Sequence, residues 1–174
     1  LLNRAEAYVM KMQEDPSALD SALADMNMYA SNLFSSGFTP MTEESIKKWA
    51  TETYSNYSEL YVGKTSETSP QTLNPKKKLF APPYNALEKG STQESMLQAL
   101  LFMRRYQFLH EGMRWFDTRR FGITVYRYTL DEDDETVLQI TDQISDEDGT
   151  PDPRRALQLP SDVIAAGLTP NPRN

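Results

Sequence analysis

The chain has 174 residues, which is enough for one substantial hydrophobic core and does not require a second domain. It carries 18 Lys and Arg residues against 25 Asp and Glu residues, and a net charge of −7 argues against a nucleic-acid partner, whose phosphates must be neutralised by cations. The absence of cysteine excludes disulfides, thiolate zinc sites and cysteine nucleophiles.

Apolar spacing near the amino terminus predicts a hairpin of two helices. The first is expected over residues 1–13 and should end before Pro16, because proline cannot continue the hydrogen-bond ladder. The second has an apolar stripe and is expected to run to about residue 34, with Gly37 just past its end. Two helices joined by so short a turn, with small residues between them, resemble a tetratricopeptide unit.

A third helix and a long irregular region follow. Thr42 is positioned to cap a helix that runs to about Tyr54, so helical structure is expected over residues 1–54. Helical periodicity then disappears over residues 55–90, where prolines and a run of lysines interrupt the chain. A loop of this length in a compact domain is usually functional or disordered, and its aromatic residues favour an ordered loop.

Residues 91–121 are predicted to form one long helix. Ser91 and Glu94 have the spacing of a capping box, and the helix is expected to end before Gly122. Opposite charges should alternate along one edge of it, carried by Glu111, Arg114, Asp117 and Arg120. A structural ion-pair network is favoured over a functional site here, and Gly112 is expected to permit close packing.

The remaining residues, 122–174, are predicted to form a β-hairpin and an extended carboxy-terminal segment. Residues 125–130 and 136–140 are rich in β-branched and aromatic residues and flank a turn-like acidic run. Later prolines predict an extended chain on the surface, apart from a helical turn near 161–166. The predicted fold class is mainly α, with tetratricopeptide-like helical hairpins, a long irregular loop region and a small β-hairpin.

Catalytic and metal-binding motifs find little support in the sequence. His110 is the single histidine and is predicted to be a packing residue within the long helix. The acidic clusters 131–135 and 146–148 lack the spacing of a calcium loop and are interpreted as solvated turns. Carboxylates are numerous enough for a glycosidase pair, but nothing singles one out. No metal and no cofactor is therefore predicted.

Aromatic residues around the irregular region are the candidate ligand contacts. Flat rings bury the apolar faces of sugars and peptides, and tyrosine hydroxyls can bond the polar rims of those faces. For any one ring, the favoured alternative is that it holds the loop against the helices, but some of the set are expected to reach ligand. The candidates are Trp49, Tyr54, Tyr57, Tyr61, Phe80 and Tyr84.

Three segments together resemble the SusD/RagB family of nutrient-binding proteins. Residues 2–8, LNRAEAY, followed by residues 22–27, are similar to the last tetratricopeptide-like pair of that family. Residues 104–122, RRYQFLHEGMRWFDTRRFG, are similar to the E-L-x-x-E-G-x-R-W-x-D-L-x-R-x-G helix of the family. Residues 157–160, together with Asn171-Pro172, are similar to the carboxy-terminal end of the family's sequence. The signature residues are Arg105, Glu111, Gly112, Arg114, Trp115, Asp117 and Arg120.

The resemblance implies the carboxy-terminal part of a bacterial outer-membrane lipoprotein that is exposed at the cell surface. It further implies binding of oligosaccharides or peptides, without cleavage, for delivery to a TonB-dependent, SusC-like transporter. Because Leu1 enters a helix directly, we expect an upstream segment that carries the lipid anchor. Two alternatives remain open: a tetratricopeptide-like scaffold that binds protein helices, and a carbohydrate-active enzyme.

Overall fold

The structure is a computed structural model that describes residues 1–34, 36–52, 77–132 and 137–173. Within these ranges the chain is mainly helical with one two-stranded antiparallel sheet, which confirms the coarser part of the prediction, a mainly α fold with a small β-hairpin. No helix in these ranges is both long and apolar enough to cross a membrane. The elements in chain order are α1 (Leu2–Lys11), α2 (Ala18–Ser31), α3 (Glu43–Glu52), α4 (Thr92–Gln107), α5 (Met113–Phe121), β1 (Val125–Leu130), β2 (Val137–Ile144) and α6 (Ser161–Ala165).

The first two helices, α1 and α2, form the predicted hairpin. Ala5 and Ala22 are fully buried in the core that the two helices share, so their small side chains allow the backbones to approach. Arg4 of α1 donates two hydrogen bonds to Asp25 of α2, at 2.7 and 2.6 Å. Because this pair joins the start of α1 to the second half of α2, the helices run antiparallel.

The central helix of the core is α4. Residues 94–100 are all buried, because α1 and α3 both pack against this helix. Met96 and Leu100 have almost no exposed surface. The predicted cap is present, since the Ser91 hydroxyl accepts a hydrogen bond from the backbone N–H of Glu94 at 3.1 Å.

The prediction of a single helix over residues 91–121 is wrong. α4 ends at Gln107 and α5 begins at Met113, and between them His110 and Gly112 have left-handed backbone, with φ of 66° and 72°. Left-handed residues end a right-handed helix because they interrupt its hydrogen-bond ladder. His110 is therefore an exposed turn residue and not a packing residue within a helix.

The strands β1 and β2 form the predicted hairpin, although β2 continues to Ile144. The register pairs Val125 with Ile144 and Leu130 with Val137, with two irregularities between these ends. A short helix, α6, lies where the sequence predicts a helical turn.

The base of this hairpin is fastened by Arg155. Its Nε donates to Asp146 at 2.7 Å, and its Nη atoms donate to the backbone carbonyls of Thr118 and Ile123 at 3.1 and 2.9 Å. The guanidinium is buried, and its donors are used by one carboxylate and two carbonyls. The carboxy-terminal segment is thereby tied to the end of α5.

Close packing against a glycine occurs at Gly122 and not, as predicted, at Gly112. A Cβ atom on Gly122 would lie 2.5 Å from the backbone nitrogen of Ala81, which donates to the Phe121 carbonyl at 3.2 Å. At Gly112 the described residues place no atom within 4 Å of the same position. Glycine suits position 112 because its backbone is left-handed there.

Candidate functional site

An open apolar groove of about 840 Å³ lies between α2, α3 and α4. Its walls are the end of α2 with the loop that follows, one face of α3 and one face of α4. This volume is in the range of ligand-binding cavities. The rings and chains that line it include Leu33, Phe34, Phe38, Trp49, Phe102 and Tyr106.

Three aromatic rings form a row on the α3 and α4 side of the groove. The Trp49 ring meets the Phe102 ring edge-on, with 5.4 Å between centroids, and Phe102 meets Tyr106 at 4.8 Å. Phe102 and Tyr106 are neighbours because they are four residues apart on α4. On the opposite wall Phe34 stacks on Phe38 at 6.0 Å. Tyr106 and Phe34 each remain 58% exposed, so both walls are accessible to solvent.

Few polar groups face the groove. The Tyr29 hydroxyl is buried without a hydrogen-bond partner among the described residues, and burial raises its pKa. A buried hydroxyl of this kind costs free energy until a ligand or a small movement supplies a partner. Tyr106, Thr39 and Ser45 contribute the other hydroxyl groups of the lining. The groove therefore suits a ligand with broad apolar faces and a few polar atoms.

The loop that forms one wall is held in place by Asn27. The side-chain amide of Asn27 donates to the Met41 carbonyl at 2.9 Å, and its oxygen accepts from the Met41 N–H at 2.7 Å. These paired bonds attach the loop to α2 through both backbone polar groups of one residue, Met41. A wall fixed in this way loses little conformational entropy when a ligand binds.

The described candidates for ligand contact lie in three different places. Trp49 lines the groove. Phe80 lines a separate cleft of about 30 Å³. Tyr84 belongs to the core, because its ring lies 4.4 Å from the Phe121 ring and its hydroxyl donates to Glu6 at 3.1 Å, so its predicted ligand contact is not supported. Three further candidates lie outside the described residues and stay predictions: Tyr54, Tyr57 and Tyr61.

The other rings of the groove were not among the predicted contacts. Phe102 and Tyr106 lie on α4, beside the apolar stripe that faces the core. In the sequence, these two rings form a second row of apolar residues on α4, beside the row that is buried in the core. Recognising that edge as part of a site requires knowing that α2 and α3 flank it.

The signature charges join different helices instead of one helical edge. Asp117 accepts a bond from Arg104 of α4 at 2.9 Å, and both side chains are buried. Arg120 donates to buried Glu6 of α1, with 3.0 Å between Nη1 and Oε2. Glu111 is exposed in the turn before α5. The predicted alternation along one edge is wrong, because the break between α4 and α5 removes Glu111 from the helix.

Three signature residues have side chains that these ion pairs do not use. Arg105, Arg114 and Trp115 are half-buried. Arg114 Nη1 and Trp115 Nε1 are buried without a hydrogen-bond partner within the described ranges. Burial and the neighbouring Arg105 lower the pKa of Arg114 to about 10. These donors are available to an acceptor from outside the described part of the chain.

No known protein family, curated protein or solved structure matches this chain. Its chemistry is therefore argued from the side chains themselves. Across residues 1–34, 36–52, 77–132 and 137–173, no group of three Asp, Glu or His side chains could hold a metal ion. The arrangement provides an aromatic groove between α2, α3 and α4, and separate ion pairs that join α1 to α2, α4 to α5 and α5 to α1.

Proposed function

We propose that the chain is the carboxy-terminal part of a SusD/RagB-type protein, a surface lipoprotein of the bacterial outer membrane. In this role it binds nutrient oligosaccharides or peptides and delivers them to a TonB-dependent, SusC-like transporter. Three resemblances in the sequence support the proposal, at residues 2–27, 104–122 and 157–172. The helical hairpin, the later helices and the small β-hairpin occur in a chain order that is compatible with it.

The observation that carries the proposal is the row of rings formed by Trp49, Phe102 and Tyr106. Sugar rings and peptide side chains present apolar faces with polar edges, and aromatic rings bury such faces at low entropic cost. Tyr106 is both exposed and amphipathic, so its hydroxyl can bond a polar edge while its ring covers the adjacent face. The groove is large enough to hold a short oligomer.

Binding without cleavage is favoured by the state of the described carboxylates. Cleavage of a glycosidic bond near neutral pH needs an acid whose pKa is raised. The described carboxylates whose pKa is perturbed all have a lowered pKa, held down by hydrogen bonds. Four of the five buried described carboxylates bind arginine partners, and the fifth, Glu94, accepts a hydrogen bond from the Gly90 N–H; the four are Glu6, Asp25, Asp117 and Asp146.

A glycan array and a peptide pool test this function, with two matched tyrosine variants. Tyr106 lies in the groove and Tyr128 lies on β1, and both are well exposed. We expect wild type and Tyr128→Ala to retain the same ligands, and Tyr106→Ala to retain them more weakly. Retained oligosaccharide should show no new reducing ends after incubation. Retention that is equal for Tyr106→Ala, or cleavage that one acidic substitution abolishes, would contradict the proposal.

A second function, a scaffold that binds a protein helix, is favoured by one feature of the groove. Its lining is mainly apolar, and hydroxyl groups come from four of its described side chains, Tyr29, Thr39, Ser45 and Tyr106. An amphipathic helix would place apolar side chains three and four residues apart into such a groove. This function predicts retention of amphipathic helical peptides alone, with no glycan and no extended peptide retained on the same arrays.

A further inference from the structure

The floor of the groove between α2, α3 and α4 is made of small or apolar side chains that also belong to the core. Ala30 of α2 and Ala99 of α4 line the groove and are buried, as is Ile46 of α3. Larger apolar side chains form the walls, with Leu33 on one side and Phe102 on the other. A ligand in the groove is therefore surrounded by apolar groups below and on both sides.

The described lining residues of the groove carry no charge and no side-chain amide. Carboxylates and amides are the side chains that can bond two neighbouring hydroxyl groups of a ligand at once. A charged group that entered the groove would lose its hydration without gaining a partner of opposite charge. The lining therefore favours the uncharged parts of a ligand.

The hydroxyl groups of the lining are only partly available to a ligand. The Ser45 hydroxyl accepts from the Thr42 N–H at 2.8 Å and donates to the Thr42 carbonyl at 2.9 Å, at the start of α3. The Tyr29 hydroxyl is buried, so a ligand reaches it only if the wall moves. Thr39 and Tyr106 are exposed, and their hydroxyl groups remain for a ligand.

An oligosaccharide would leave most of its hydroxyl groups without partners in this groove. Each sugar unit carries hydroxyl groups around its ring, and stacking on an aromatic side chain covers only its apolar face. Hydroxyl groups that are pressed against two apolar walls lose water without a replacement bond, which costs free energy. Two accessible hydroxyl side chains are too few for a sugar chain that fills a groove of about 840 Å³.

A short extended peptide fits the same groove without that cost. Its side chains alternate between two faces, so every second side chain can enter the groove while the backbone stays at the open mouth, in contact with water. The exposed hydroxyl groups of Thr39 and Tyr106 can bond backbone groups there. Met41 and Met103 line the groove, and unbranched methionine side chains adapt to apolar groups of different shapes.

We propose that the nutrient ligand of the groove is a short peptide with large, uncharged apolar side chains at alternate positions, and not an oligosaccharide. This inference rests on the proposed function, because it names the ligand class of the same groove. It also separates the ligand from the partner of a helix-binding scaffold, since a peptide of about six residues is too short to form a stable helix in water. Selection depends on the apolar character of the inserted side chains and on their spacing along the peptide.

Titration of the ¹⁵N-labelled chain with synthetic ligands tests this inference by NMR, with the Trp49 indole signal as the reporter of the groove. The probes are a capped hexapeptide that alternates Leu with Ser, the same peptide with Lys in place of Leu, maltohexaose, and an amphipathic helical peptide of about 18 residues. We expect a saturable shift with the Leu-Ser peptide and at least about tenfold weaker binding of the others. The Lys peptide is a stringent control, because the net charge of −7 attracts it to the protein.

Two matched variants show whether the peptide binds in the groove. Leu33 and Met28 are 56% and 52% exposed, but of the two only Leu33 lines the groove. A carboxylate at the groove wall would face the apolar side chains of the peptide, so Leu33→Glu should weaken binding of the Leu-Ser peptide about tenfold. Met28→Glu should leave it unchanged. Equal weakening by both variants would overturn the inference, because the peptide would then bind outside the groove.

The remaining outcomes separate failure of this inference from failure of the proposed function. Maltohexaose that binds at least as tightly as the Leu-Ser peptide would overturn the inference and leave the proposed function intact. Equal binding of the Leu-Ser and Lys-Ser peptides would overturn it in the same way. A shift of Trp49 with the helical peptide alone would overturn both in favour of the scaffold. The absence of a Trp49 shift with every probe would overturn the inference, and the glycan array and peptide pool would then decide the function.

Discussion

Glu6 of α1 and Arg120 of α5, 114 residues apart in the chain, form an ion pair that joins the first helix of the structure to the fifth. The Glu6 carboxylate is buried and also accepts a hydrogen bond from the Tyr84 hydroxyl. Two elements distant in sequence are therefore held by one carboxylate. This contact connects the amino-terminal helix to α5 through Arg120, five residues after the Glu-Gly-x-Arg-Trp segment.

Substituting Glu6 with glutamine is expected to destabilise the fold. The amide cannot pair with Arg120 and can keep only part of the hydrogen bonding, so the free energy of unfolding should fall by about 1–3 kcal/mol. Glu14→Gln, at an exposed position after α1, should change it by less than about 0.5 kcal/mol. Urea denaturation of both variants provides the measurement. Equal effects would show that the Glu6 contact contributes no specific stability.

Two glycine-to-alanine variants separate close packing from backbone conformation. Gly112 and Gly122 both have positive φ, but only at Gly122 would the new Cβ meet backbone atoms. We expect Gly112→Ala to cost about 1 kcal/mol from backbone strain alone. Gly122→Ala should cost at least about 3 kcal/mol, because Ala81 would have to move. A larger loss for Gly112→Ala in thermal unfolding would contradict the structure of the turn between α4 and α5.

Burial, with a smaller effect of Arg114 and Arg105, gives Lys77 a distinctive pH dependence. Its pKa falls from 10.5 to about 8 on folding, so below pH 8 the charged lysine opposes folding, and stability rises as the pH increases from about 8 to 10.5. In a buffer free of phosphate, Lys77→Met should be more stable than wild type at pH 7, by up to about 3 kcal/mol. That advantage should shrink at pH 10. Lys48→Met, at an exposed site on α3, should show no such change.

Local patterns predicted the helices and the hairpin but not the break within residues 91–121. Apolar residues continue at helical spacing across the break, yet Leu109 and Phe116 are 65% and 56% exposed. The pattern there does not mark a buried face. A glycine at position 112 does not by itself predict a turn, because glycine is also tolerated within helices. Its left-handed backbone, with φ of 72°, is known only from the structure.

The candidate site was predicted only in part, for a related reason. Trp49 was identified by its residue type, but the groove joins α2, α3 and α4, whose positions no local pattern specifies. Asp117 illustrates the same limit, because its partner Arg104 lies across the break and not along its own helix. Sequence spacing predicts neighbours within an element, whereas contacts between elements depend on tertiary packing.

The most direct test of ligand binding in the groove compares wild type with Trp49→Ala, for the ligand that the arrays identify. Isothermal titration should show at least about tenfold weaker binding, because the ring that meets Phe102 in the groove is lost. The melting temperature should fall by no more than about 4 °C, which corresponds to about 1 kcal/mol in a domain of this size. Unchanged affinity together with a large fall in melting temperature would show that Trp49 is a core residue and would contradict the proposed function.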